Sequence, residues 1–382
     1  MTVTTEHSHG SDTAARAWSA SWPLVILVVA IAGIGAAMLY SVAGGSYDPW
    51  AKRRVVRMLA GLAVLLVFAA IPIRAWLAIA YPVYIMCLGC LVAVALFGLE
   101  MGGAKRWISI AGLAFQPAEL MKIAIVLVLA RYYQWIPVRR ISHPVWLVLP
   151  LLLIVMPVAL IAKQPDLGTA SLIAVLGLAI MFLAGVSLIY FAGVFVTGVA
   201  AAPFVWGHMH SYQKERVLTF LEPARDPLGK GYQVLQSKIA LGSGGISGKG
   251  FLNGTQSQLD FIPEKHTDFI FTMLAEEFGF LGSLALLALY GCLLIILVWM
   301  ALRCRNHFAR LVTFGASLIV FSHMFVNVAM VMGVVPVAGV PLPLVSYGGT
   351  SMMVNLAVLG LAASGFSYRH EHIRREDVGA VF

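Results

Sequence analysis

The apolar residues of this chain come in runs of about twenty, separated by short polar stretches. A helix of that length crosses the roughly 30 Å hydrocarbon core of a bilayer. The pattern therefore predicts an all-α polytopic membrane protein with about ten transmembrane helices. The predicted spans are 23–43, 55–73, 76–98, 117–135, 144–163, 168–185, 187–206, 268–301, 310–333 and 347–367.

One long polar segment, 207–267, interrupts this rhythm between the seventh and eighth spans. Six glycines between Gly242 and Gly254 predict a flexible stretch whose backbone can approach a ligand closely. We interpret 1–20 as a disordered cytoplasmic tail, 21–369 as a single transmembrane domain, and 370–382 as a cytoplasmic C-terminal tail.

Basic residues in the short connections indicate which side each connection occupies, because cytoplasmic loops carry an excess of Lys and Arg. With both termini cytoplasmic, the inner segments hold eleven arginines and the short outer loops hold seven basic residues. The bias favours cytoplasmic termini and a long extracytoplasmic loop, although the Lys52-Arg53-Arg54 run counts against it.

Composition supports a membrane protein and excludes two other classes. Hydrophobic residues make up 60% of the chain and charged residues only 11%, whereas a soluble domain carries about a quarter charged residues. The net charge of +9 is scattered through short loops, so it indicates topology and lipid headgroups and not nucleic-acid binding. Cys87 and Cys90 lie inside an apolar run, where we predict simple packing without a disulfide or a metal.

The fourth span carries two ionisable residues, Glu119 and Lys122, which lie three apart and share a helix face. Charged groups within a span are costly and therefore mark functional candidates. Two interpretations stay open for this pair: a buried ion pair that fixes helix packing, and a polar wall of a substrate cavity.

Two aspartates lie where spans begin. Asp166 follows Pro165 at the start of the sixth span, and Asp268 lies where the long loop meets the eighth span, beside Glu264, Lys265 and His266. Either carboxylate could simply cap a helix by accepting its free N–H groups. The same position would also keep Asp268 ionised and directed at the membrane surface as a general base.

Two further polar features lie near the spans. Glu276 and Glu277, two turns into the eighth span, are expected to have structural roles, with at least one directed into the bundle. Pro336, Pro341 and Pro343 predict an irregular segment before the last span. At membrane depth such a backbone must be shielded by protein or line a cavity.

Several motifs, in order along the chain, resemble one known family. They are GAKRW at 103–107, FQPAELMK at 115–122, QPDLGT at 164–169, DPLG at 226–229, QSK at 236–238, the glycine-rich stretch 242–254, HTDF at 266–269 and PLPLVSYGG at 341–349. The chain is similar to the SEDS proteins (shape, elongation, division and sporulation) over nearly everything after its N-terminal tail. The stretch 254–266 resembles the elongation-type members more than the division-type members.

The resemblance implies a peptidoglycan glycosyltransferase that polymerises lipid II at the outer face of the bacterial cytoplasmic membrane. The family's essential aspartate falls on Asp268, and its inner-cavity residues fall on Glu119, Lys122 and Asp166. A class B penicillin-binding protein, other elongation-complex proteins and membrane lipid are the implied partners. An α-linked donor giving a β-linked product would be an inversion, consistent with one base and no covalent intermediate.

This chemistry requires a base for a sugar hydroxyl and cations for a leaving pyrophosphate. We expect Asp268 to be the base. The candidate substrate-binding residues are Arg216, Lys238, Lys249, Glu264, Lys265 and His266. A divalent cation, magnesium or manganese, is the candidate cofactor, since it could bridge phosphate and carboxylate.

Two other functions fit parts of the pattern. A flippase for lipid II would use the charged residues inside the spans but would not need Asp268 at the outer surface. A non-enzymatic scaffold of the elongation complex would leave glycan synthesis to its partner. Replacement of Asp268 distinguishes both from the enzyme.

Overall fold

A computed structural model describes residues 22–371, apart from 49, 102–103, 111–112, 210, 223–225, 227–228 and 260. The predicted N-terminal tail and nearly all of the predicted C-terminal tail lie outside the described residues. Thirteen α-helices are described. They are α1 (Trp22–Val42), α2 (Ala51–Ala70), α3 (Ile73–Phe97), α4 (Pro117–Trp135), α5 (Pro144–Lys163), α6 (Leu167–Ala184), α7 (Leu188–His208), α8 (Ser211–Leu221), α9 (Lys230–Ser243), α10 (Thr255–Gln258), α11 (Ile270–Arg303), α12 (His307–Val331) and α13 (Gly349–Ser367).

Each of the ten predicted spans coincides with one of these helices to within four residues. Seven of the described helices, α1, α3, α5, α6, α11, α12 and α13, are long and apolar enough to cross a membrane. The chain is therefore a polytopic membrane protein. Basic residues at the start of α2 and charged residues in α4 make these two helices more polar than the seven.

The fold is helical except for a small antiparallel sheet between α3 and α4, which the sequence analysis does not predict. Its strands are β1 (Leu99–Met101), β2 (Ala104–Ile110) and β3 (Leu113–Phe115), in the order β1-β2-β3. Ile108 pairs with Phe115, and Met101 pairs with Ala104. Strands this short depend on their packing against neighbouring helices, and β2 contacts both α3 and α4.

Helix α4 lies at the centre of the bundle, in contact with α3, α5, α6, α12 and α13. Apart from the partly buried Leu120, every residue from Pro117 to Gln134 is buried. A helix surrounded by protein does not need an apolar surface toward lipid. This position explains how α4 can carry Glu119, Lys122 and Arg131.

Connections of the bundle gather at two ends, as alternating antiparallel helices require. At one end Arg106 contacts the α5–α6 connection, and the backbone N–H of Tyr347 donates to the carbonyl of His266 at 2.9 Å. At the other end Arg131 donates to the carbonyl of Leu77 at 2.8 Å, and the N–H of Arg305 donates to the carbonyl of Arg369 at 3.0 Å.

Helix α7 stands apart from this arrangement. None of its described side chains is buried, although its residues are strongly apolar. Its start is held to the α5 side of the bundle, where the Tyr190 hydroxyl donates to the carbonyl of Ser142 at 2.8 Å. An apolar helix with so little of its described surface covered by protein must present most of that surface to lipid.

Candidate active site

A cavity of about 550 Å³ opens at the end of the bundle where α4, α6, α11 and α13 begin. Five of the residues named from the sequence are near one another there. Glu119, Lys122, Asp166, Glu264 and Asp268 all line the cavity.

Asp268 is half-buried and lies in the turn just before α11. Phe269 and not Asp268 occupies the N-cap position of α11. The backbone carbonyl of Asp268 accepts a hydrogen bond from the side-chain amide of Asn327 at 2.8 Å. A Cβ atom placed on Gly339 would lie 3.7 Å from Oδ2 of Asp268, so the opposite wall of the cavity is close to this carboxylate.

Glu119 and Lys122 form the ion pair that their spacing predicts, with 2.6 Å between Lys122 Nζ and Glu119 Oε1. Lys122 Nζ also lies 2.6 Å from Nε2 of His323 on α12. Nδ1 of His323 lies 2.7 Å from the carbonyl of Ile319. An ammonium can only donate, so Nε2 accepts and the ring proton is on Nδ1, directed at that carbonyl. Because the three side chains line the cavity, the ion pair is also part of its polar wall.

Asp166 caps α6, as one interpretation of its position expects. Its carboxylate accepts the backbone N–H of Thr169 at 3.2 Å and the Thr169 hydroxyl at 3.0 Å. Gln116 donates to the same carboxylate at 3.3 Å, and Nη1 of Arg106 lies 4.0 Å from it. Arg106 also donates to the carbonyls of Gln164 and Pro165. The carboxylate thus joins the sheet region, α4 and α6 while it faces the cavity.

The irregular segment 336–348 forms one wall of the cavity, as its prolines predict. Its carbonyls are bonded by buried side chains from elsewhere in the chain. Arg54 donates to the carbonyls of Leu344 and Ser346, and Tyr290 donates to the carbonyl of Pro343. Non-helical backbone is tolerated at membrane depth when it is satisfied in this way.

Two further contacts involve residues of the same segment. The Ser346 hydroxyl donates to the carbonyl of Thr267 at 2.6 Å. The guanidinium of Arg57 lies 4.8 Å from the centre of the Tyr347 ring, a cation–π distance. The turn that carries Asp268 and the wall opposite are therefore bonded to each other directly.

Near Asp268, Glu264 is exposed and accepts a hydrogen bond from the Thr267 hydroxyl at 2.7 Å. Lys265 is buried and does not line the cavity. His266 stacks on Trp50, with ring centres 4.8 Å apart. Burial lowers the pKa of His266 from its ordinary value, the Lys265 charge lowers it further, and the Glu264 charge partly opposes both. The imidazole is therefore neutral near pH 7.

Lys249 and Lys238, two other candidate substrate-binding residues, do not line the cavity. Nζ of Lys249 pairs with Glu276 Oε1 at 2.7 Å and donates to the Thr255 hydroxyl at 2.8 Å. Lys238 is exposed on α9 beside Gly333. Arg216 is in α8, and its side chain lies outside the described residues.

The backbone of the glycine-rich stretch 242–254 lies against the protein's own helix α11. Backbone N–H groups of Lys249 and Gly250 donate to the carbonyls of Glu276 and Glu277, at 3.0 and 2.9 Å. In the other direction, the N–H of Phe280 donates to the carbonyl of Gly245 at 2.9 Å. A break in α11 at Gly279 (φ 65°) makes these groups available.

Glu276 and Glu277 have the structural roles that the sequence indicates, and both are fully buried. Glu276 accepts from Lys249 and from the backbone N–H of Gln256 at 3.1 Å. Glu277 accepts from the hydroxyl of Ser41 at the end of α1. The two carboxylates fasten the long loop and α1 to the first part of α11.

Three residues of the site have no role in the sequence analysis. His323 is an ionisable residue within an apolar span, so the rule that singles out Glu119 could have found it. Arg106 lies in a recognised motif and lines the cavity. Arg54 reads as a topology signal in the sequence, and only the fold brings it to the segment 336–348.

The fold and the cavity define a multi-pass membrane protein with a polar, carboxylate-rich site at one end of a helical bundle. The family model FTSW_RODA_SPOVE, described as "Cell cycle protein", matches residues 21–369. The chain belongs to this family, which contains the SEDS proteins that its motifs resemble.

Bacterial relatives match over most of the chain. Peptidoglycan glycosyltransferase MrdB of Escherichia coli (strain K12) is 45% identical over 352 residues, which cover 91% of this chain and 94% of the relative. Probable peptidoglycan glycosyltransferase FtsW of Thiomicrospira cyclica is 37% identical over 357 residues, 88% of this chain and 89% of the relative.

Two solved structures have the same fold. One comes from work on the structural coordination of polymerization and crosslinking by a peptidoglycan synthase complex. It has a TM-score of 0.80 and 34% identity, and the match covers 92% of this chain and 98% of the solved chain. The other is the rod shape determining protein RodA of Thermus thermophilus, with a TM-score of 0.69, 30% identity and the same coverage.

Proposed function

We propose that this protein is a peptidoglycan glycosyltransferase of the elongation type, which polymerises lipid II at the outer face of the bacterial cytoplasmic membrane. The observation that carries the proposal is the cavity, where Asp268 lies with three other carboxylates at the end of a membrane bundle. The activity in the names of relatives that align over about nine-tenths of the chain supports the same reaction.

The orientation follows from where the cavity lies along the chain. Apart from His323, which lies in the second half of α12, its residues belong to the connections after α3, α5, α7 and α12 and to the first turns of the helices that follow them. If each of the ten predicted spans crosses the membrane, these connections share one face. With cytoplasmic termini, that face is extracytoplasmic, where a lipid-linked disaccharide can be polymerised without re-entering the cell.

Asp268 is the general base in this proposal. A base must lie within hydrogen-bond reach of the hydroxyl that loses its proton. Asp268 is half-buried and lines the open cavity, so a sugar hydroxyl can reach it. Taking the proton makes the oxygen a stronger nucleophile toward the donor's anomeric carbon. The bond from that carbon to the pyrophosphate then breaks, and the lipid pyrophosphate leaves.

The charged side chains on the cavity wall determine which interactions a leaving pyrophosphate would make. Among the described lining residues, Arg106 and Lys122 carry positive charge, against the four carboxylates of Glu119, Asp166, Glu264 and Asp268. Lys122 is already paired with Glu119. A pyrophosphate would therefore meet Arg106, whose side chain also donates to the carbonyls of Gln164 and Pro165 and lies 4.0 Å from Asp166, in an otherwise negative cavity.

A divalent cation fits this imbalance. The described residues contain no group of three or more His, Cys, Asp or Glu side chains that could hold a metal. Magnesium, however, is commonly bound through one or two carboxylates together with substrate phosphates. Asp268 and Glu264 are the residues that would meet a cation carried in with pyrophosphate. Such a cation would neutralise charge that develops on the leaving group.

We propose that the prenyl chain of the substrate lies beside α7. An undecaprenyl chain must remain in the bilayer while its headgroup enters the cavity. The described side chains of α7 are mostly apolar and not buried, and the helix is fixed at its start by Tyr190, so this helix offers an apolar surface for the chain.

A class B penicillin-binding protein is the proposed partner. The solved structure with a TM-score of 0.80 comes from a peptidoglycan synthase complex in which polymerization and crosslinking are coordinated. A glycan strand made at this cavity would need a crosslinking enzyme on the same face of the membrane.

Purified protein incubated with lipid II tests the function. Wild type should produce glycan chains, and Asp268→Ala and Asp268→Asn should produce none while they remain folded. Asp48→Ala is the matched control, because Asp48 is an exposed aspartate that does not line the cavity. Chains made by folded Asp268→Ala would remove Asp268 from the mechanism.

The same preparation in vesicles tests the flippase alternative, which the charged residues within the bundle favour. A flippase would move labelled lipid II between leaflets, and it would do so equally well with Asp268→Ala. Glycan synthesis that needs Asp268, without such movement, would support the enzyme.

A further inference from the structure

One face of α12 carries two buried polar residues, His323 and Asn327, one helical turn apart. Residues four apart on a helix share a face. His323 contacts Lys122 on the cavity wall. Asn327 is fully buried, does not line the cavity, and contacts the backbone on two sides of it.

The amide nitrogen of Asn327 makes two hydrogen bonds. It donates to the carbonyl of Asp268 at 2.8 Å and to the carbonyl of Val340 at 2.7 Å. Both neighbours are acceptors, so only the NH₂ end of the side chain can face them, and both of its protons are used. One side chain thus joins the turn that carries Asp268 to the wall segment that approaches it.

These two segments have no regular structure that would hold them in place. Asp268 precedes the first turn of α11, and Val340 lies in the irregular segment 336–348. Gly339, next to Val340, comes close to the Asp268 carboxylate. The separation between that carboxylate and the opposite wall therefore depends on the few bonds that join the two segments. Asn327 makes two of them, beside the bond from the Ser346 hydroxyl to the carbonyl of Thr267 and the bond from the Tyr347 N–H to the carbonyl of His266.

We propose that Asn327 is a positioning residue for the reaction, which sets the place of the Asp268 carboxylate without touching substrate. The inference rests on the proposed role of Asp268 as base. A displacement of about 1 Å in a catalytic group can lower a rate about 100-fold. Loss of the Asn327 bonds therefore affects turnover more than it affects substrate binding.

Asn327→Asp and Asn327→Leu are the test substitutions, because both have nearly the size of asparagine and neither can donate twice. In lipid II polymerisation we expect kcat to fall about 10- to 100-fold, with KM within about twofold of wild type. Loss of kcat without a change in KM is typical of an interaction made only in the transition state. If one of these variants does not fold, Asn327→Ala replaces it, because the smaller alanine side chain cannot clash with the neighbouring residues.

Ser364→Ala is the matched control. Ser364 is also fully buried, and its hydroxyl joins two chain segments by donating to the carbonyl of Ile71 at 2.6 Å, but at the opposite end of the bundle. Its kcat should stay within about twofold of wild type at a similar loss of thermal stability. An equal fall of kcat in Ser364→Ala and the Asn327 variants would reduce Asn327 to a general stabilising role and overturn the proposal.

The pH dependence of kcat/KM distinguishes a positioning role of Asn327 from a role in stability alone. The acidic limb of kcat/KM reports ionisation of the essential base in the free enzyme. That limb should move in the Asn327 variants and stay in place in Ser364→Ala. Wild-type kcat and an unmoved limb in a folded Asn327→Leu would also overturn the proposal. The role of Asp268 is tested separately. If Asp268→Ala is inactive and Asn327→Leu is fully active, Asp268 remains the proposed base and only the positioning role of Asn327 is refuted.

Discussion

The buried pair of Glu119 and Lys122 offers a measurement that separates stability from catalysis. Lys122→Met keeps a long unbranched side chain but removes the ammonium. Glu119 then keeps its charge without its ion-pair partner, and Nε2 of His323 loses its donor. The same lysine lines the cavity, so the substitution alone cannot tell a structural role from a functional one.

The expected loss of stability is large because the pair is buried. The side chains of Lys122 and Glu119 expose only 2% and 8% of their surface, so solvent does little to screen the remaining charge. Removing one partner of a buried pair costs about 3–5 kcal/mol. Replacing both with neutral residues of similar size is often neutral or stabilising, so Glu119→Gln/Lys122→Met should recover most of the loss.

Equilibrium unfolding in mixed detergent micelles measures the stability of each variant, and lipid II polymerisation measures its activity. If the pair only fixes helix packing, the double variant should regain activity together with stability. If Lys122 also acts in the cavity, the double variant should be stable and still slow. Lys163→Met, which removes an exposed lysine at the same end of the bundle, is the control. An unfolding free energy for Lys122→Met equal to that of Lys163→Met would refute the argument that the pair contributes to stability.

Three further predictions concern the loop, the turn before α11 and the topology. Gly248→Ala should destabilise the fold by about 1–3 kcal/mol in the same unfolding assay, because Gly248 has φ 81° and its Cβ would collide with the α11 backbone; Gly242→Ala, with open space around it, should not. Stability should fall as pH drops below about 6.5, because His266 has a lowered pKa in the folded state and the unfolded chain binds the extra proton first; His266→Phe should flatten this dependence. After replacement of the four native cysteines, Lys163→Cys should react with a membrane-impermeant maleimide in intact cells and Arg139→Cys only after permeabilisation, and the reverse pattern would contradict the proposed orientation.

Helix positions follow from the sequence because the bilayer fixes their length. Even α4, which carries Glu119, Lys122 and Arg131, is found from Pro117 to Trp135 as predicted. The cap on Asp166 and the pairing of Glu119 with Lys122 are local consequences of spacing, and both are present. Such features need only the residues within one turn of a helix.

Features that depend on distant segments could not be read in this way. The short sheet at 99–115 depends on its contacts with α3 and α4. The glycines of 242–254 indicate close approach of a backbone, but the sequence cannot say to what, and the partner is the break in α11 at Gly279. Lys249 likewise reads as a free loop cation until the fold places Glu276 beside it.

The arginines at the start of α2 show why counting charges gave an ambiguous topology. The positive-inside rule counts the Lys and Arg residues of short loops near the ends of the spans. Arg54 is instead buried against the carbonyls of 344 and 346, and Arg57 lies over the Tyr347 ring. Arg106 is likewise bonded to the α5–α6 connection.

A buried charge is withdrawn from the membrane surface and should not be counted as a topology signal. Among the described residues of the two counts, the buried ones are Arg54 and Arg131. Omitting them leaves six of the seven outer basic residues and ten of the eleven inner arginines. The inner excess of four is unchanged, so cytoplasmic termini stay favoured. The Lys52-Arg53-Arg54 run, which counts against this orientation, loses its buried member to the segment 336–348, whose carbonyls Arg54 binds.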